Sequence, residues 1–355
     1  MKDKLRKTFL ELVSISEVYP NEDKIIGYIE RRLADSGIAF KRDSFNNIIA
    51  WVEGSGRSIL LNTHMDIPEP NPKLSVISQG DIISSDGNTI LGADPKSGLA
   101  VLIEFLIKIK ESKDNHHTVE AVITRGEEAG LIGATNLDYS LIKSKRGLVL
   151  DEDGPVSRVI IKAPCVIKLD IEIRGKKGHP RNPKEGKNVL PALEEILYKI
   201  PPGYSKEGLT WNIGLISAGS ARNTIPGELN IAAELRSYSK EDIESGYKRI
   251  HKQFKDSCSN RGLSLKIQIT QRYYGYSISN DSELINDMRK TYKKMDIMPG
   301  FYSTFGGSDA NIFNNKGIQT VPIGSAYYNA HQHQEYVRMD DMQNIMKFLE
   351  LFYAF

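Results

Sequence analysis

Near residue 163 a segment with its own order of elements interrupts an otherwise regular alternation of helices and strands, which resumes near residue 279. Upstream, amphipathic helices over Leu5–Val18 and Asp23–Ser36 lead into apolar runs at "NIIAWV" and "SILLNTHMD". The helical stretch "LAVLIEFLIKIK" and two further strands, "VEAVIT" and "GLVLDED", follow. Strands interleaved with helices of this length predict an α/β layer fold. Inside the interruption, "VIKLDIEIRG" alternates, "NVLPALEEILYKI" is helical, and "LTWNIGLISAG" and "ELNIAAELRS" alternate again. The helix "KEDIESGYKRIHKQFKDS" and the strand "SLKIQITQRYY" complete it. That order is β-α-β-β-α-β, a small two-layer sandwich. Helix, strand and a final amphipathic helix ending at Phe355 return the chain to the first pattern. The expectation is a discontinuous α/β domain, residues 1–163 and 279–355, with an inserted domain at 164–278. A cleft between them is the default place for a ligand.

A chain of 355 residues favours two such domains over one. Its 47 basic and 45 acidic residues leave a net charge of only +2, so neither nucleic acid nor a membrane surface is expected as a partner. Polar residues interrupt the N-terminal "MKDKLRKTFLELVSISEVYP" every few positions, which reads as an amphipathic helix and not a signal peptide. No window approaches the roughly 18 consecutive apolar residues of a membrane span. Cys165 and Cys258 lie far apart with no metal-type spacing, which fits a reducing compartment. A cytoplasmic protein is expected.

Five strand-end or loop segments hold residues that a hard or borderline divalent metal prefers. They are "THMD" with His64 and Asp66, "GADPK" with Asp94, "RGEEAGLIGA" with Glu127 and Glu128, "VLDEDG" with Asp151 and Asp153, and "NAHQHQEY" with His331 and His333. Any one strand-end aspartate alone is a cap or turn former. Together, at the ends of successive core strands, such residues converge in space. In an extended segment, residues two apart point the same way, so Asp66 can lie behind the His64 ring and accept its second N–H. The adjacent Glu127 and Glu128 point to opposite sides and can divide two tasks, one binding metal and one handling a proton. His116-His117 reads as a polar turn with no metal, and Asp309 as the cap of the helix after it.

In this order, "THMD", "LGADPKSG", "TRGEEAGLIGA", "LDEDGPV", "KGHP", "GLISAGSARNTIP", "FGGSDANIF" and "HQHQEY" resemble a metallopeptidase family. Its members include peptidase T, carboxypeptidase G and the acetylornithine and succinyl-diaminopimelate deacylases, and the motifs are most similar to peptidase T and its relatives. The resemblance implies a zinc-exopeptidase-like catalytic domain, a mixed sheet between helices, carrying two zinc ions per subunit, with manganese or cobalt as substitutes. It implies His64 and Asp151 at the first ion, Glu128 and His331 at the second, Asp94 bridging both, and Asp66 orienting His64. Glu127 would be the general base and acid. Either Asp151 or Asp153 could be the ligand in "LDEDGPV", the strand-end position favouring Asp151. The family's four-residue spacing to Glu-Tyr selects His331 over His333.

The resemblance further implies that His179 donates to the tetrahedral oxyanion, reaching a partner subunit's site in a homodimer formed through the inserted domain. Asn223 and Arg236 would meet substrate. The implied activity is hydrolysis of short peptides by an aminopeptidase or tripeptidase. An N-acyl-amino-acid amidohydrolase and a catalytically silent metal-binding homologue are the alternatives. Pro95 departs from the family, whose members carry a second aspartate there after a cis bond. Before proline the cis form costs little, so Asp94-Pro95 is expected cis, with the helix beginning near Lys96.

Overall fold

A computed structural model describes residues 1–204 and 208–354. The chain divides into two compact units, Met1–Lys162 with Ser277–Phe355, and Ala163–Tyr276.

In the first unit a nine-stranded mixed sheet runs in the order 39–42, 48–52, 118–124, 58–64, 146–152, 319–324, 158–163, 276–277, with Gly300–Ser303 branching off beside Arg158–Ala163. Its four middle strands, Thr118–Thr124, Ser58–His64, Arg146–Glu152 and Gln319–Gly324, are mutually parallel. Strands of this kind are covered on both faces and read as nearly continuous apolar runs; every residue of Thr118–Thr124 is buried. Their carboxyl ends therefore open at one edge, the edge where α/β folds place their ligands.

The helix Ala93–Glu111 carries apolar residues all round and is buried from Ala93 to Leu106. Asp94 interrupts it at φ −79°, ψ 115°, and Asp94-Pro95 is cis, as expected from the dipeptide. The first helix covers Lys2–Val13, starting and ending earlier than its apolar pattern suggests. The final helix is Met339–Tyr353; Phe355 lies outside the described residues. A four-stranded sheet, Tyr327–Tyr328, Tyr336–Arg338, Ile82–Ser85 and Val76–Gln79, has no counterpart in the sequence reading.

Close sheet pairing leaves no room for a side chain at Gly147 without a local shift. It faces Leu60 across the parallel ladder, and a Cβ there would meet the Leu60 carbonyl oxygen at 2.3 Å. Gly147→Ala is expected to lower stability by about 1–3 kcal/mol through overpacking, read as a fall in the calorimetric melting midpoint. An unchanged midpoint would refute this.

In the second unit five antiparallel strands run in the order 203–204, 209–218, 228–237, 165–174, 264–273. Leu190–Lys199 and Lys240–Ser259 supply the helical layer, as the β-α-β-β-α-β order predicts. Alternation along Cys165–Arg174 sends Leu169, Ile171 and Ile173 into a core with Leu229, Leu235, Ile250 and Phe254. Cys165 and Cys258 are buried as free thiols. Among the described residues no helix is long and apolar enough to cross a membrane.

Candidate metal centre

The site residues of the first unit arrive from the carboxyl edge of the parallel strands. His64 ends the strand Ser58–His64, Asp151 lies near the end of Arg146–Glu152, and Glu127 and Glu128 follow Thr118–Thr124. Asp94 enters at the start of the buried helix, and His331 from the loop between Tyr327–Tyr328 and Tyr336–Arg338.

Asp94 connects the two histidines. Its Oδ1 lies 3.2 Å from His64 Nε2 and its Oδ2 lies 3.3 Å from His331 Nε2. His64 Nε2 is also 3.4 Å from Asp151 Oδ1, and His331 Nε2 is 2.9 Å from Glu128 Oε1. The other face of the His64 ring has Asp66 Oδ1 3.4 Å from Nδ1. Asp66 is fully buried and also accepts the backbone N–H groups of Glu127 at 3.0 Å and Glu128 at 3.2 Å. One carboxylate thus lies against the ring and ties down the loop that carries both glutamates.

The electrostatics are those of a carboxylate cluster in need of positive charge. Burial pushes Asp151 up to about 7, with Asp94 and Asp309 adding to it against His64. Burial, then the Asp151 charge, raises Glu127 well above the usual carboxylate range. Burial opposes a charged His64, but Asp151, Asp66 and Asp94 outweigh it and raise its pKa well above the ordinary value. Hydrogen bonds to Asp94 and Glu128 push His331 up to about 10. Burial also works against ionised Asp94, yet His331 and His64 hold its carboxyl below the usual range.

This donor set fits divalent cations. Three groups, His64 with Asp94 and Asp151, Asp94 with Glu128 and His331, and His64 with Glu127 and Glu128, each bring their ligand atoms within 4.8 Å of one another. Imidazole nitrogen with carboxylate oxygen suits zinc, manganese or cobalt. Asp94 belongs to two of the groups through opposite oxygens.

The remaining expectations fall in different places. Asp153 is half exposed and lies 3.3 Å from Arg158 Nε, and His333 Nε2 is 3.8 Å from Glu69 Oε1. His116 Nδ1 contacts the His117 carbonyl at 2.9 Å, and neither histidine enters a metal-type group among the described residues. His179, Asn223 and Arg236 belong to the second unit. There a bridge between Gly178 and Ile225 sets the loops of His179 and Asn223 side by side. Arg236 Nε donates to Glu234 Oε1 at 2.8 Å.

Asp309 corrects the sequence reading. Ser308 caps the helix Asp309–Asn315, in a capping box with Asn311, while Asp309 occupies its first turn. Its buried carboxylate accepts from Thr124 Oγ1 and, at 3.4 Å, from Asn62 Nδ2. Two acidic or hydroxyl residues in "GGSD" are equal as caps on paper, and only packing separates them. Sequence reasoning also missed Tyr327, whose hydroxyl lies 3.5 Å from Asp151 Oδ1. It sits on a two-residue strand that carries no periodic signal.

A family model, Peptidase family M20/M25/M40, matches residues 60–354. The chain belongs to that family. It is a metal-dependent hydrolase, and its fold is shared with solved members. A tripeptidase from Staphylococcus aureus subsp. aureus Mu50 superposes with a TM-score of 0.94 at 29% identity, covering 99% of this chain and 98% of that one. Aminopeptidase PepT from Bacillus cereus ATCC 10987 gives a TM-score of 0.89 at 28% identity, covering 99% and 98%. Among sequences, this M20 chain is 31% identical over 350 residues to uncharacterized protein YqjE of Bacillus subtilis (strain 168), covering 96% of this chain and 94% of the relative.

Proposed function

We propose that this chain is an exopeptidase that removes residues from the free amino end of short peptides, with two zinc ions per subunit that manganese or cobalt can replace. The observation that carries the reading is Asp94, whose two oxygens face His64 and His331 separately. His64, Asp94 and Asp151 would hold one ion, and Asp94, Glu128 and His331 the other. When bound, such a pair supplies Lewis acidity for the scissile carbonyl and lowers the pKa of a water molecule.

The chain's own residues do the rest. Glu127 takes a proton from the attacking water and delivers it to the leaving nitrogen, so that a C–N bond breaks as a C–O bond forms. Asp66 holds His64 and the Glu127 amide in register.

In the second unit, the Arg181 N–H donates to His179 Nδ1 at 3.1 Å, which leaves Nε2 as the protonated, donating nitrogen of the neutral ring. An exposed N–H donor of this kind is what an oxyanion needs. Asn223 and Arg236 are assigned to substrate contact, and the inserted domain, residues 164–278, to a lid and homodimer contact. A cytoplasmic location accords with the two unpaired buried cysteines.

The pocket supports a free-amine substrate over an N-acylated one. A space of about 390 Å³ beside Asp94, Glu127 and His331 is also walled by Glu152 and Asp153, with Arg158 the basic residue against them. Arg158 Nε pairs with Glu152 Oε1 at 2.7 Å and with Asp153 Oδ1 at 3.3 Å, so once metal ions compensate the inner carboxylates at most one negative charge of this outer pair is left for an ammonium group.

The test is a tripeptide assay with and without N-acetylation, repeated after chelation and zinc return. Hydrolysis of the free peptide that disappears with chelator, returns with zinc and is lost on acetylation is expected. Undiminished cleavage of the acetylated peptide would sink the aminopeptidase reading in favour of an amidohydrolase.

A further inference from the structure

The segment that delivers Asp94 is held by two side chains from other parts of the first unit. Ile90 to Asp94 is buried throughout, so each backbone polar group there needs a partner. Asn71 Nδ2 donates to the carbonyls of Ile90 and Leu91, both at 3.2 Å. The N–H groups of Gly92 and Asp94 donate to Glu335, to Oε2 at 2.6 Å and to Oε1 at 3.0 Å. Asn71 and Glu335 are each 1% exposed. Gly92 sits at φ +74°, where a Cβ would press on Ile67 Cγ2 at 3.2 Å, so the turn itself needs glycine.

Glu335 follows His331 by four residues, so one loop provides both a contact to Asp94 Oδ2 and the grip on the Asp94 backbone. A neutral acceptor would satisfy two amides at lower desolvation cost. A buried carboxylate gives shorter and stronger bonds, and both of its oxygens are spent on this one turn. Such a grip is worth its cost where the carboxylate it aims must be placed accurately.

We propose that Glu335 is a positioning residue that fixes the Gly92–Asp94 turn, so that the two Asp94 oxygens stay directed at His64 and His331. Asn71 braces the same turn from the carbonyl side. The inference rests on the reading of Asp94 as a bridge between two cations.

Zinc binding tests it. Zn²⁺ stoichiometry and affinity are measured by chelator competition for the full-length wild type, Glu335→Gln and Glu335→Asp, beside the melting midpoint of each metal-free protein. In Glu335→Gln one backbone N–H must face an amide N–H. The expected result is two zinc ions per wild-type chain, a metal-free Glu335→Gln that still unfolds cooperatively but at a lower midpoint because a buried donor is left unpaired, and a 10–100-fold loss in zinc affinity, as for other residues that orient ligands. Glu335→Asp, which keeps both oxygens, should recover part of it.

Affinity within twofold of wild type in Glu335→Gln overturns the proposal. Fewer than two zinc ions in the wild type instead overturns the bridging reading, before Glu335 enters. Should Glu335→Gln not fold, hydrogen exchange on the wild type decides: the peptide spanning residues 87–96 must be protected and must slow further with zinc. Exchange at open-loop rates would overturn the assignment.

Discussion

Glu127→Gln is expected to lower kcat by about 10²–10⁴-fold, the range typical of a lost general acid–base group, while zinc content and melting midpoint stay close to wild type. The substitution keeps the shape of a 9% exposed side chain and removes its ability to take a proton. The Glu127 backbone N–H, which donates to Asp66, is untouched. If, as proposed, the water and the leaving nitrogen both depend on this one carboxylate, KM for a tripeptide should change little while kcat falls. Steady-state kinetics with metal analysis on the same preparation gives both numbers. Retention of more than a tenth of wild-type kcat would remove Glu127 from its role.

Asp94→Ala should do more damage and by another route. Its carboxylate is common to both histidines, at 3.2 and 3.3 Å, so one truncation strips a ligand from each cation position. Zinc content is expected to fall from two per chain to below one at equal free metal. The affinity loss should exceed the 10–100-fold typical of a residue that only orients a ligand. Asp151→Ala touches only the His64 side and should leave the second ion in place. If Asp94→Ala and Asp151→Ala lost metal equally, Asp94 would not be a bridge.

The two outcomes separate chemistry from assembly. Under the proposed function, one variant would keep its metals and lose the proton carrier, and the other would keep Glu127 and lose the cations.

Much of the scaffold was legible because burial leaves a periodic trace. The runs around Leu60, Val122 and Leu148 are apolar since both faces of a parallel strand are covered, and polar residues begin where each strand leaves the core. That rule places His64, Glu127 and Asp151 at one edge. Alternation in Cys165–Arg174 and Glu228–Ser237 likewise marks a sheet covered on one face. The small sheet of Val76–Gln79 and Tyr327–Tyr328 left no such trace, because its strands are two to four residues long and Val76–Gln79 is exposed.

By itself the sequence determined the longer helices and core strands, the order β-α-β-β-α-β inside the α/β frame, and the residue types at the strand ends, since each follows from local periodicity. Only the tertiary structure decided the pairings. That Asp94 turns one oxygen to His64 and the other to His331, that Asp309 is drawn to Thr124 and Asn62, and that Glu335 grips the Gly92 and Asp94 amides are contacts between remote segments. Glu335 lies more than 240 residues from the backbone it holds, and no local pattern encodes such a distance. It follows from the parallel strand order and from the requirement that buried backbone groups find partners.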